Sequence, residues 1–101
     1  GDDAPMPEGG SATTVAVIVR GDSLGSLFSQ WLVYYNEVRL PFTDDLLRKL
    51  CVVGLADGRV LVKQVLRGTR PGRYHLVSQT QGLIEDAHVV WAAAVIAMTP
   101  R

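Results

Sequence analysis

Asp57-Gly58 constrains this chain more than any other pair of residues. It separates two apolar runs, Leu50 to Leu55 and Arg59 to Leu66, both rich in branched side chains. Asp-Gly between two apolar runs is the strongest short hairpin signal, because glycine freely adopts the positive φ that tight turns need. The pair predicts a β-hairpin in the middle of the chain. A lone hairpin is only marginally stable in water, so further strands must cover it.

Candidates for those strands lie on both sides. Thr13 to Arg20 is β-branched and nearly continuous in apolar character, as a buried strand should be. Trp31-Leu32-Val33-Tyr34-Tyr35 reads as a second strand, closed by Asn36. After the loop from Leu40, Thr43 is placed to cap a short helical turn from Asp44 to Lys49, with acids first and Arg48 and Lys49 last. Beyond the hairpin, the turn Gly68-Thr69-Arg70-Pro71-Gly72 leads into a strand from Tyr74 to Ser78. Gln79 to Asp86 reads as a polar connection, and His88 to Met98 as one long closing strand. The expected fold class is mostly β: five or six strands in a compact, mainly antiparallel, barrel-like fold with little helix.

Residues 1–11 carry two prolines, three glycines and three acids without periodicity, the composition of a linker or tag remnant. Residues 12–101 then form one domain. Charged residues make up 20% and hydrophobic ones 48%, and ten basic side chains balance ten acidic ones, which leaves no net electrostatic footprint for nucleic acid. The single cysteine, Cys51, excludes an intrachain disulfide and suits a small core position. His75 and His88 have no metal-ligand spacing, and no cofactor motif is present. The longest apolar run, Val89 to Met98, is too short to span a bilayer, and the acidic start has no signal-peptide core, so no membrane partner is expected.

Two side chains point to chemistry. Ser23 follows the apolar run Val15 to Val19 in the glycine-flanked loop Gly21-Asp22-Ser23-Leu24-Gly25. A serine hydroxyl becomes a nucleophile only when a neighbouring base takes its proton, and backbone N–H groups in such a loop are suited to an oxyanion hole. Lys63 stands in the centre of Val60-Leu61-Val62-Lys63-Gln64-Val65-Leu66. Roughly one free lysine in 2,500 is neutral at pH 7, but burial among apolar groups favours the neutral amine. On a strand, Leu61 and Val65 share the face of Lys63 while Val60, Val62 and Leu66 point away, and no acid occurs between Asp57 and Glu85. Ser23 and Lys63 together have the makings of a Ser–Lys dyad. The plainer readings are a turn serine bonding locally and an edge-strand lysine that snorkels to water.

Val19-Arg20-Gly21-Asp22-Ser23-Leu24 resembles the Gly-Asp-Ser-Met motif of the LexA and phage-repressor C-terminal domains, which are also similar to UmuD and the signal peptidases. Asp57-Gly58-Arg59-Val60-Leu61-Val62-Lys63-Gln64-Val65 resembles the strand that carries that family's lysine. Tyr74 to Thr80 and Val90 to Ile96 resemble its later segments, so the likeness covers about residues 12–100. It implies a mostly β fold, Ser23 as nucleophile and Lys63 as base in an autopeptidase that cuts an upstream linker bond. It further implies a homodimeric, cytoplasmic transcriptional regulator, with DNA bound only through a preceding helix-turn-helix domain and a RecA-type co-protease as a partner. The sequence departs from the family at Leu24, at Ser29-Gln30-Trp31 and at Thr80. The family's Ala-Gly or Cys-Gly cleavage dipeptide is also absent, so the scissile bond is expected upstream of these residues, or the domain associates without cutting.

Gly21-Asp22-Ser23-Leu24 also spells the signature of the GDSL esterases. Those need a larger α/β sandwich and a late Asp-x-x-His pair, whereas Asp86 and His88 are one residue too close. A non-catalytic dimerisation or sensing module would rely instead on its apolar strands and on Trp31 and Trp91.

Overall fold

The computed structural model describes residues 14–19, 30–78 and 82–100. Its central feature is the hairpin at Asp57-Gly58. β3 (Leu50–Leu55) pairs antiparallel with β4 (Val60–Arg67), with Cys51 opposite Lys63 and Gly54 opposite Val60. Gly58 takes φ +91°, the conformation for which glycine is suited. Asp57 fixes the turn by accepting hydrogen bonds from the backbone N–H and Nε of Arg59 at 3.0 and 2.8 Å.

Around this hairpin the chain builds a five-stranded sheet and a three-stranded one. The larger has the order β6 (Ile84–Ala87), β5 (Tyr74–Val77), β4, β3, β7 (Val89–Ala94). The smaller has the order β1 (Val15–Ile18), β2 (Leu32–Tyr35), β8 (Ala97–Thr99). Every pairing is antiparallel. The chain is mostly β with little helix, as expected, but its strands form two layers and do not close into a barrel.

Each face of the larger sheet has its own core. Val52, Val62 and Ala93 pack against Val19, Val33 and Tyr35 between the layers. On the far side Cys51, Val53, Val65 and Leu76 pack with Phe42 and Leu46. Cys51 is therefore a core residue, as its size suggests. Alternation along β3 explains this division: successive residues point to opposite faces, so a strand buried on both sides must be apolar throughout. Fully burying one such aliphatic side chain contributes about 1.5–3 kcal/mol.

Three expectations about the elements need correction. The closing segment is two strands: β7 belongs to the larger sheet and β8 to the smaller, and between them Val95 N–H donates to the Leu50 carbonyl and Ile96 N–H to the Tyr34 carbonyl. The helical turn after Thr43 is a short 3₁₀ turn, Asp44–Leu46. Thr43 does not cap it, because its hydroxyl donates to the Asp45 carboxylate instead.

The segment read as a polar connection contains β6. Ile84 and Ala87 pack on the core while Asp86, at φ 51°, serves the neighbouring turn. The Asp86 carboxylate accepts from Thr69 N–H at 2.8 Å and from the Thr69 hydroxyl at 2.5 Å, and Gly68 leaves room for this approach. The Thr69 hydroxyl is the main cause that holds the Asp86 carboxyl below its ordinary pKa. An acid depressed in the fold stabilises it above its unfolded pKa, and that contribution is lost as pH falls through the folded value. Asp86→Ala is thus expected to lower the thermal midpoint at neutral pH, with the gap from wild type closing as acid protonates the carboxylate, read in circular-dichroism melts.

Among the described residues no helix is long and apolar enough to cross a membrane.

Candidate functional site

Lys63 is the one buried charged residue among those described, with 4% of its surface exposed. Alternation along β4 puts Val62 into the layer between the sheets and Lys63 on the opposite face, flanked by Leu61 and Val65. Its neighbours across the sheet follow from register. On β3, Cys51 stands directly opposite. On β5, the pairing Gln64 with Val77 places Ser78 opposite Lys63, one step past the strand end. The Lys63 ammonium donates a hydrogen bond to Ser78 Oγ.

This setting disfavours a charged amine. Among the described residues Lys63 forms no salt bridge. The Cys51 thiol does not supply a counter-charge, because burial pushes its pKa up to about 11 and keeps it protonated near neutrality. Four residues before Lys63 on the same face, the Arg59 guanidinium adds a like charge. Burial first, and Arg59 second, hold the Lys63 pKa below the ordinary lysine value. These are the conditions in which a lysine can act as a base.

Among the described residues β5 ends opposite Gln64, so β4 from Val60 to Lys63 has no neighbouring strand on that side. Ser23 and its glycine-flanked loop lie outside the described residues. The last residue before that loop is Val19, whose backbone continues the β1–β2 ladder with Trp31 and Gln30 at 2.8 Å and whose side chain shares the inter-sheet core with Val62.

The Ser78 contact was missed in the residue-by-residue reading, although the sequence contained the signal. Once Gly68–Gly72 is taken as the turn of a hairpin in which Arg67 faces Tyr74, counting back places residue 78 opposite residue 63. The remaining candidates have structural surroundings. His75 Nδ1 accepts a hydrogen bond from the Asp86 N–H at 3.1 Å and lies 4.0 Å from the Asp86 carboxylate, so the ring is tied to the turn that Asp86 serves. Trp91 packs between the layers with its ring 5.7 Å from that of Tyr35. Among the described residues no cluster of His, Cys, Asp or Glu forms a possible metal site.

No protein-family model, no curated protein and no solved structure matches the chain.

Proposed function

We propose that this chain is the autopeptidase and dimerisation domain of a phage-repressor-type transcriptional regulator, with Ser23 as nucleophile and Lys63 as general base. The observation that carries the reading is a buried lysine, free of any carboxylate among the described residues and held by the Ser78 hydroxyl just past the end of β5. A solvated structural lysine would need none of these features. Ser23 lies four positions after Val19, a reach of at most about 14 Å; Val19 packs with Val62 on the face of β4 opposite to Lys63, so this reading requires the loop to carry Ser23 around the sheet edge.

In this mechanism neutral Lys63 takes the proton as Ser23 Oγ attacks the linker carbonyl. The resulting ammonium gives that proton to the leaving amine, and water then releases the acyl-serine. Because the linker belongs to the same polypeptide, effective concentration replaces substrate affinity. The cut would separate the DNA-binding half from the dimerising half and lower operator occupancy through lost bivalency.

Ser78 supports the base by fixing the direction of its lone pair. Ser78→Ala is expected to slow self-cleavage by about 10- to 100-fold, with Ser78→Thr recovering most of the rate. The contact with Lys63 also favours a second reading, in which Ser78 is itself the nucleophile. Mass spectrometry of the polypeptide that carries this domain behind its linker separates the two. Loss of all cutting in Ser23→Ala supports the first reading, and loss of all cutting in Ser78→Ala with full cutting in Ser23→Ala supports the second. If the linker stays intact at alkaline pH in the folded wild type, the association module alone remains.

A further inference from the structure

We propose that one end of the five-stranded sheet binds the phosphate backbone of duplex DNA without reading its sequence. The net charge of zero conceals a segregation of charge along the sheet. Arg48 N–H donates to the Val65 carbonyl at 2.7 Å, and the Lys49 carbonyl accepts from Val65 N–H at 3.3 Å, which sets both residues beside the last residues of β4. Arg67 closes β4, and Arg70 and Arg73 follow in the turn. The turn, from Arg67 to Tyr74, lines an open cavity of about 260 Å³.

Five cations therefore collect at this end. Arg67 is paired with Asp44 at 3.1 Å, but Arg48, Lys49, Arg70 and Arg73 form no salt bridge among the described residues. Three acids stand at the same end and offset part of this charge: Asp44 pairs with Arg67, Asp45 lies 3.6 Å from Arg39 and also feels Lys49, and Asp86 accepts from the Thr69 backbone and hydroxyl, which leaves the cations in excess. At the opposite end of the hairpin the single arginine, Arg59, is paired with Asp57 at 2.8 Å.

The layout selects the ligand. The cations without a salt bridge belong to two separate segments, the start of β3 and the turn after β4, which suits a regularly repeating anion. Guanidinium groups match phosphate oxygens in pairs. Single-stranded nucleic acid would call for aromatic platforms on which bases stack, yet the ring of Tyr74 is already packed on Phe42 at 4.2 Å. Duplex backbone is the form that these side chains can serve. This inference is independent of self-cleavage.

The test is fluorescence anisotropy of a labelled, arbitrary-sequence DNA duplex titrated with this chain across a range of salt. Binding is expected at low salt, with a log–log slope of about −2 to −4, for the two to four phosphates within reach of these cations. Arg70→Gln with Arg73→Gln should weaken it by about tenfold or more, while Arg59→Gln should leave it unchanged. Arg48→Gln with Lys49→Gln gives a second variant, read in the same way, should the turn variant fail to fold by circular dichroism. The proposal is overturned by absence of binding at low salt, by a folded double variant that binds like wild type, or by tighter binding of a single-stranded oligonucleotide. Displacement by orthophosphate or a singly phosphorylated peptide as effective as by unlabelled duplex would also overturn it, since that would indicate a single-phosphate site.

Discussion

Lys63→Ala is expected to fold and to leave its upstream linker uncut at every pH, whereas the wild-type rate climbs with pH. Below the folded pKa of Lys63 each pH unit multiplies the neutral fraction by about ten, so the rate should rise about tenfold per unit and then level off. The level portion should begin below the ordinary lysine value of 10.5, because burial and Arg59 both disfavour the ammonium. A rate independent of pH, or cutting that persists in Lys63→Ala, would exclude this lysine as the base.

The same shift has a consequence for stability, with a definite sign. A lysine whose pKa is depressed in the fold binds fewer protons there than in the unfolded chain, so stability rises with pH. The penalty is fully present below the folded pKa, shrinks between that value and 10.5, and is absent above it. Lys63→Met fills the space without the charge. It should raise the free energy of unfolding at pH 7 by on the order of 1 kcal/mol, with no gain above about pH 10.5. One variant that is more stable and inactive would separate the catalytic part of this residue from its structural part.

Gly54→Ala is the second change with a large expected effect. A Cβ at this position would lie 1.9 Å from Trp91 Nε1 and 2.3 Å from Cε2, far inside contact distance. Gly54 and Trp91 face each other on β3 and β7, and the indole is packed with Tyr35 between the two layers. The ring must shift to admit a Cβ, and doing so disturbs its packing on Tyr35. A loss of about 2–3 kcal/mol in urea denaturation is expected, together with a change in tryptophan fluorescence. Trp91→Leu should be milder alone and should recover part of the loss when combined with Gly54→Ala, which a double-mutant cycle would read as coupling. A wild-type midpoint in Gly54→Ala would show that the indole is not held there.

Much of the scaffold was legible because local chemistry decides it. The β3–β4 hairpin follows from Asp57-Gly58 and its flanking apolar runs, and the face occupied by Lys63 follows from alternation with Leu61 and Val65. Less was legible where tertiary partners decide. Nothing in Val95-Ile96 interrupts the apolar run that ends the chain, so the transfer from one sheet to the other leaves no local mark. In β6 the acids Glu85 and Asp86 hid a strand, because Asp86 serves a distant turn and the core contacts of Ile84 and Ala87 are made by only two residues. Within the candidate site, Lys63 could be found from its neighbours alone, but Ser78 required the register of a second hairpin. The loop that holds Ser23 lies outside the described residues.

The passage of β7 into β8 ties the two layers covalently. Leu50 and Tyr34, one in each sheet, receive hydrogen bonds from adjacent residues of that junction. The small sheet cannot peel away as a separate flap without dragging on the strand beside β3. Fluctuations that would loosen one layer are thereby passed to the strands around the lysine, so the domain should breathe as a single body.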